Sequence, residues 1–142
     1  MSYTIKVTKD MVSASTTLSV SPKHALAICR AVNRKRWKDA KVLVEGLADQ
    51  SRPLTGRWKG KYYSKAASQI LGLLNTLAAN ARQRAIEPEK AQLMISAHRG
   101  PTMWRGRRKR KFGMRLKLVH VQALLKPLPE QKVEQKNVEQ KK

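Results

Sequence analysis

Residues 105–117, RGRRKRKFGMRLK, hold eight cations and no acid, and they lie between two segments of alternating apolar character. Before the run, Leu93, Ile95 and Ala97 alternate with Gln92, Met94 and Ser96. After it, Val119, Val121 and Ala123 alternate with His120 and Gln122. Period two is the pattern of a half-buried strand. Gly100-Pro101 opens the stretch between them, and Gly106 and Gly113 offer turn or bulge points. Paired as one hairpin over 90–125, each arm has about 16 residues and, at about 3.3 Å per residue, reaches on the order of 50 Å. A domain of this length has a radius of gyration of only about 14 Å. The hairpin is therefore expected to project, with a tip that has no core of its own and needs a partner to order it.

The charge distribution says what kind of partner. The 142 residues carry 31 Lys+Arg against 9 Asp+Glu, a formal net charge of +22. No acid occurs between Gln50 and Ile86, nor between Lys90 and Pro129. A solvated surface normally mixes signs, and this much like charge repels itself unless a polyanion neutralises it. Nucleic acid is expected ahead of an anionic membrane or an acidic protein. No stretch approaches the roughly 18 apolar residues of a membrane span, and the first residues, MSYTIKVTKDMVSASTT, lack the apolar core of a signal peptide. A cytosolic protein is expected.

The remaining pattern is helical. Ser21 can cap a helix that starts at Pro22, where a missing N–H costs no bond. Ala25, Ile28, Cys29 and Val32 form its apolar face, and Asn33 with Arg34-Lys35-Arg36 marks its exit. A second helix runs from about Trp37 to Leu47, with Trp37, Ala40, Val44 and Leu47 on one side. Residues 49–63 read as a loop broken by Pro53, Gly56 and Gly60. A third helix is expected from about Ser64 to Ala85, on the stripe Ala67, Ile70, Leu71, Leu74, Leu77, Ala78 and Ala81. Residues 1–125 then form a single nucleic-acid-binding domain, and 126–142, polar and partly repetitive (VEQK twice), a disordered tail.

Candidate binding residues follow from chemistry. Arg pairs bidentately with phosphate and stacks on bases, and aromatic rings stack on unpaired bases. Arg105, Arg107, Arg108, Lys109, Arg110, Lys111, Arg115 and Lys117, with Arg99 and Trp104, therefore form the first candidate surface. A basic run can also be a solvated tail or a sorting signal, but here strand patterns flank it. The loop of Arg57, Trp58, Lys59 and Lys61 is the second candidate; Trp58 either covers the core or faces a partner, and both hold if the ring is buried with Lys59 and Lys61 outward. Trp37 reads as core. His24, His98 and His120 have no ligand spacing to one another or to Cys29, so no metal is expected. The lone Cys29 excludes a disulfide framework. With no paired carboxylates in an apolar setting, phosphate loop or nucleophile elbow, no enzyme and no cofactor are expected.

Several short motifs, in order, resemble the universal large-subunit ribosomal protein twenty-two family, called seventeen in eukaryotes. They are Ser21-Pro22-Lys23-His24-Ala25, Ala79-Asn80-Ala81, Gly100-Pro101-Thr102-Met103 and His120-Val121. The loop before the third helix, from Gly56-Arg57-Trp58 to Ala66-Ala67, is similar to the archaeal and eukaryotic branch. The resemblance spans about 18–125. It implies an α+β fold, three helices packed on a small antiparallel sheet with a long projecting β-hairpin. It also implies a structural protein, one copy in the ribosome, that binds large-subunit ribosomal RNA, neighbours other ribosomal proteins, and lines the nascent-peptide exit tunnel with the hairpin. Lys23, His24 and His120 join the expected RNA contacts through these motifs. At the tip the family pattern Pro-Arg-Ala then Gly-Arg-Ala is replaced by WRGRRKRKFGMR, and the tip is shorter. The alternative from another class is an architectural DNA-binding protein that lays a basic β-arm in the minor groove. An enzyme acting on RNA stands third.

Overall fold

A computed structural model of the chain describes residues 7–8, 11–107, 110 and 112–127. Arg108, Lys109 and Lys111, and residues 128–142 of the expected tail, lie outside the described residues. The order of elements is β1 (Val12–Leu18), α1 (Pro22–Val32), α2 (Trp37–Ala48), α3 (Ser64–Gln83), β2 (Ala91–Arg99), β3 (Met103–Trp104), β4 (Arg115–Leu116) and β5 (Val119–Pro127). Single 3-10 turns occupy Gly56–Trp58 and Pro88–Lys90.

The expected α+β class holds. β5 lies between β1 and β2, antiparallel to both. Rows such as Val12, Leu125 and Leu93, or Ala14, Ala123 and Ile95, align across the three strands and are buried with the apolar faces of the helices. The α1 stripe Ala25, Ile28, Cys29 and Val32 is buried as expected, with Ala27 added. In α2 the expected Trp37, Ala40, Val44 and Leu47 are the buried set, so Trp37 is core. In α3 Leu71 and Ala78 are only partly buried, while Ala66 and Leu73 join the core. Burial pushes the Cys29 thiol up to about 12 because a thiolate would lose its hydration there.

Three features differ from the sequence reading. β1 was not anticipated; it is an edge strand whose buried residues are only Val12 and Ala14. Asn80 Nδ2 donates to Ser13 O at 3.4 Å and Arg84 Nη1 to Met11 O at 3.0 Å, so α3 side chains cover its outer edge. Ser21 stands at the N-cap of α1, but its hydroxyl makes no capping bond; its carbonyl accepts from Ala25 N–H at 3.0 Å. And whereas the whole 90–125 hairpin was placed outside the body, nine residues of each arm belong to the central sheet. Their alternate apolar side chains are needed to close the core under α1 and α3, and β5 continues two residues past the expected end, to Pro127.

The exit from α1 seals the far edge of β2. Asn33 Oδ1 accepts from Ile95 N–H at 3.2 Å. Arg34 N–H donates to Leu93 O at 2.8 Å and Leu93 N–H to Lys35 O at 2.9 Å. Asn33, Arg34 and Lys35 thus do a fourth strand's work without adding apolar surface.

Candidate nucleic-acid interface

Beyond the last sheet pair, Arg99 with Val119, the two chains close tightly and then open. Gly100 N–H donates to Leu118 O at 2.9 Å, and a Cβ on Gly100 would lie 2.8 Å from the Leu118 carbonyl carbon. Only glycine lets the backbones approach this closely. Pro101 has no N–H to continue the ladder, and pairing resumes at Met103 with Leu116 and Trp104 with Arg115. Arg105 then faces two residues. Its N–H donates to Met114 O at 3.0 Å while its carbonyl accepts from Gly113 N–H at 3.3 Å, with Gly113 at φ +72°. This is a G1 bulge with the required left-handed glycine, so one of the two expected turn glycines is used that way.

Residues 100–118 contain no buried side chain among those described. Met103, Trp104, Phe112 and Met114 are 51%, 61%, 59% and 55% exposed. Arg107, Arg110, Arg115 and Lys117 are exposed as well, and Arg105 is half-buried. The Arg115 guanidinium lies 5.5 Å from the Trp104 ring centroid, a cation on an aromatic face.

Two open clefts, each of about 450 Å³, flank this neck. One lies between the start of α1, at Ser21, Pro22 and Lys23, and the neck residues Arg99 to Thr102 with Arg115 to Leu118. The other lies between Ser19, Val20, Ser21, His24 and the α3 residues Lys65 and Ala66 on one side, and Arg105 with Met114 to Lys117 on the other. Arg115, Leu116 and Lys117 line both. Among the described residues, no carboxylate lines either cleft.

The loop before α3 comes to the same end of the body. Tyr63, left-handed at φ 52°, stacks on His24 with centroids 4.1 Å apart and planes 18° from parallel. Trp58 packs partly on the core, 6.0 Å beneath the Arg30 guanidinium, while Arg57, Lys59 and Lys61 are exposed. The half-buried ring covers part of the core, with Lys59 and Lys61 outward.

The acids are elsewhere. Among the described residues, Asp39, Glu45 and Asp49 belong to α2 and its C-cap, and Glu87 and Glu89 to the 3-10 turn before β2. Lys41 pairs with Glu45 at 3.6 Å and Lys90 with Glu87 at 3.0 Å. From that turn to the neck, β2 runs its full length, roughly 27 Å at about 3.4 Å per residue. That is about three Debye lengths at physiological salt, so Glu87 and Glu89 do little to offset the field of the hairpin.

No protein-family model matches the chain. It is similar to "Large ribosomal subunit protein uL22" of Methanosphaera stadtmanae, 31% identical over 117 residues, covering 71% of this chain and 75% of the relative. The protein of the same description from Methanocaldococcus jannaschii is 31% identical over 130 residues, 76% and 81% of the two chains. The chain belongs to the uL22 family. A third uL22, from Staphylothermus marinus, is 30% identical over 107 residues, 62% of this chain and 68% of its own length. All three are archaeal, which agrees with the branch read from the loop before α3.

Within this uL22 chain, the structure gathers Lys23, His24, Arg99, Arg105, Arg115 and Lys117 around the two clefts and sets Trp104 beside them. Arg107 and Arg110 lie farther out on the hairpin, and Arg108, Lys109 and Lys111 lie outside the described residues. His120 is apart from the clefts. It sits on the sheet face opposite the core, in one row with Thr17 and His98, and hydrogen-bonds Thr17 Oγ1 through Nδ1 at 2.7 Å. Sequence reasoning passed over Lys65 and Tyr63. Their position at the start of α3, inside an acid-free window, was a usable signal; the stack on His24 was not. Among the described residues no three His, Cys, Asp or Glu side chains are placed to hold a metal ion, and no helix is long and apolar enough to cross a membrane.

Proposed function

We propose that this chain clamps large-subunit ribosomal RNA with its neck clefts, hairpin and loop 57–61, and that the far end of the hairpin lines the nascent-peptide exit tunnel. As a uL22 protein it is a structural component of the large ribosomal subunit, acting in the cytoplasm as part of the ribosome. It acts there as one copy beside neighbouring ribosomal proteins, by binding rather than by catalysis, and without a cofactor. The observation that carries the reading is the outer hairpin. Its cations and half-exposed Trp104, Phe112, Met103 and Met114 share one hairpin with no carboxylate among the described residues. Cations neutralise phosphate, and the rings offer stacking faces to unpaired bases.

If about six cations each neutralise one phosphate, log affinity for a large-subunit RNA fragment should fall against log salt with a slope near −4, at roughly −0.7 per contact. Filter binding or fluorescence anisotropy across salt measures it. A flat dependence contradicts phosphate clamping. Binding to bent duplex DNA with none to the RNA moves the protein to the architectural DNA class.

A further inference from the structure

The geometry points to a single RNA strand threading both neck clefts, its phosphates stapling the hairpin to the body at one angle. This rests on the ribosomal RNA reading above and assigns the contact that fixes the hairpin.

At the neck the hairpin has a hinge and, among the described residues, no core. Between the Arg99–Val119 pair and the Met103–Leu116 pair, only the Gly100–Leu118 bond is made, and pairing lapses at Pro101–Thr102 and Lys117. Pro101 and Thr102 on one side and Lys117 on the other, without ladder bonds, leave the outer hairpin free to swing on the Gly100–Leu118 contact. Facing that hinge, six cations converge from three separate parts of the chain: Lys23 on α1, Lys65 on α3, and Arg99, Arg105, Arg115 and Lys117 on the hairpin. Among the described residues none of the six makes an ion pair with a carboxylate.

Like charges on both sides of an open hinge push the hairpin away from the body. An anion between them reverses the sign of that force. A small anion would fill one cleft and satisfy one set of cations. The two clefts, however, share the wall Arg115–Leu116–Lys117, so the charges form a continuous track around β4 rather than a closed pocket. A polymer of phosphates matches a track. Each contact made from the hairpin side and answered from Lys23 or Lys65 then converts repulsion into a bridge, and the angle of the hairpin is set by the RNA.

The test uses the full chain with two labels. Asn75→Cys on the exposed side of α3 and Gly106→Cys, where nothing lies within 4 Å and φ is not positive, accept spin labels. Cys29, buried, stays unlabelled in the folded protein. The distance distribution is recorded free and with a large-subunit RNA fragment, in the parent and in Lys23→Gln/Lys65→Gln/Lys117→Gln. All three lysines are exposed, and a thermal melt confirms that the triple variant folds. The parent distribution should be broad when free and narrow with RNA. The triple variant should bind at least tenfold more weakly, with a salt slope shallower by about 2 at roughly 0.7 per lost contact, and its distribution should stay broad. Unchanged affinity and slope in the triple variant would overturn the clefts as the RNA track while leaving RNA binding by the rest of the hairpin intact. Weakened binding with undiminished narrowing would overturn the staple. A parent that binds no RNA at all removes the ribosomal RNA reading itself, and this inference with it.

Discussion

Along Ala91–Arg99 and Val119–Pro127, two strands pair nine residues against nine and place Leu93, Ile95, Val119, Val121, Ala123 and Leu125 in the core. Over 100–118 the same two stretches of chain continue, pair at a few positions around a G1 bulge, and bury nothing among the described residues. One hairpin therefore serves two ends. Its inner half is held by apolar contact with the helices, which is available to the isolated chain. Its outer half carries charge of one sign and exposed rings, which resist collapse onto the body and keep their partners outside. Leaving that half without a core defers part of its ordering cost to binding. In exchange its contact surface is not spent on the protein's own interior.

The sharpest break of this comparison is a pair of variants. Leu74→Asp puts a carboxylate at a fully buried position of α3 with no cation beside it in the core. Burying an unpaired charge is among the few single changes that cost more than about 4 kcal/mol, so the protein should not fold; loss of helical circular dichroism or of soluble protein reads it. Replacing residues 105–113 by a two-residue turn should shift the free energy of unfolding by less than about 0.5 kcal/mol, the ordinary size for changes away from the core. A body that unfolds on that deletion refutes the division. A milder pair sharpens it. Leu93→Ala, in the inner half, should cost about 2–5 kcal/mol in urea denaturation, whereas Met103→Ala, half-exposed in the outer half, should stay within about 0.5 kcal/mol.

Much of the inner half was legible in the sequence because its signals are local. Period two over 92–97 and 119–123 gave both strands, and the helix stripes gave α2 to within a residue. α3 stops at Gln83 rather than Ala85 because Ala85 turns left-handed at φ 55°, a reversal that no apolar pattern records. β1 was invisible for a related reason. VSASTTL has two buried residues, and its strand character comes from pairing with β5 more than a hundred residues later. The interface divided the same way. Its cations could be named from the run 105–117, but the clefts could not, because they arise where residues 19–24, 65–66 and 99–118 meet in space. Spacing along a chain is silent about such meetings unless a motif records them. Here the family motifs at Ser21–Ala25 and Gly100–Met103 did record one, since both border the same cleft.

The smallest expected contrast is between two glycines of the outer half, and it tests whether the neck is truly the joint. Gly100→Ala drives a Cβ into the Leu118 backbone, at 2.8 Å from its carbonyl carbon and 3.0 Å from its oxygen. The chains must part there, and because Gly100 adjoins the Arg99–Val119 pair, the strain reaches the core sheet. A cost of about 1–3 kcal/mol is expected, as for other overpacked sites, visible in global unfolding. Gly113→Ala has open space around its new methyl but keeps a φ of +72° that an L-residue resists, a cost of about 1 kcal/mol. That cost should stay in the bulge. Global unfolding should not move, while exchange of the Arg105 amide, bonded to Met114 O across the bulge, should quicken about fivefold, the factor that 1 kcal/mol represents. If Gly113→Ala lowered global stability as much as Gly100→Ala, the outer hairpin would be cooperatively part of the body, and the joint would have to be sought elsewhere.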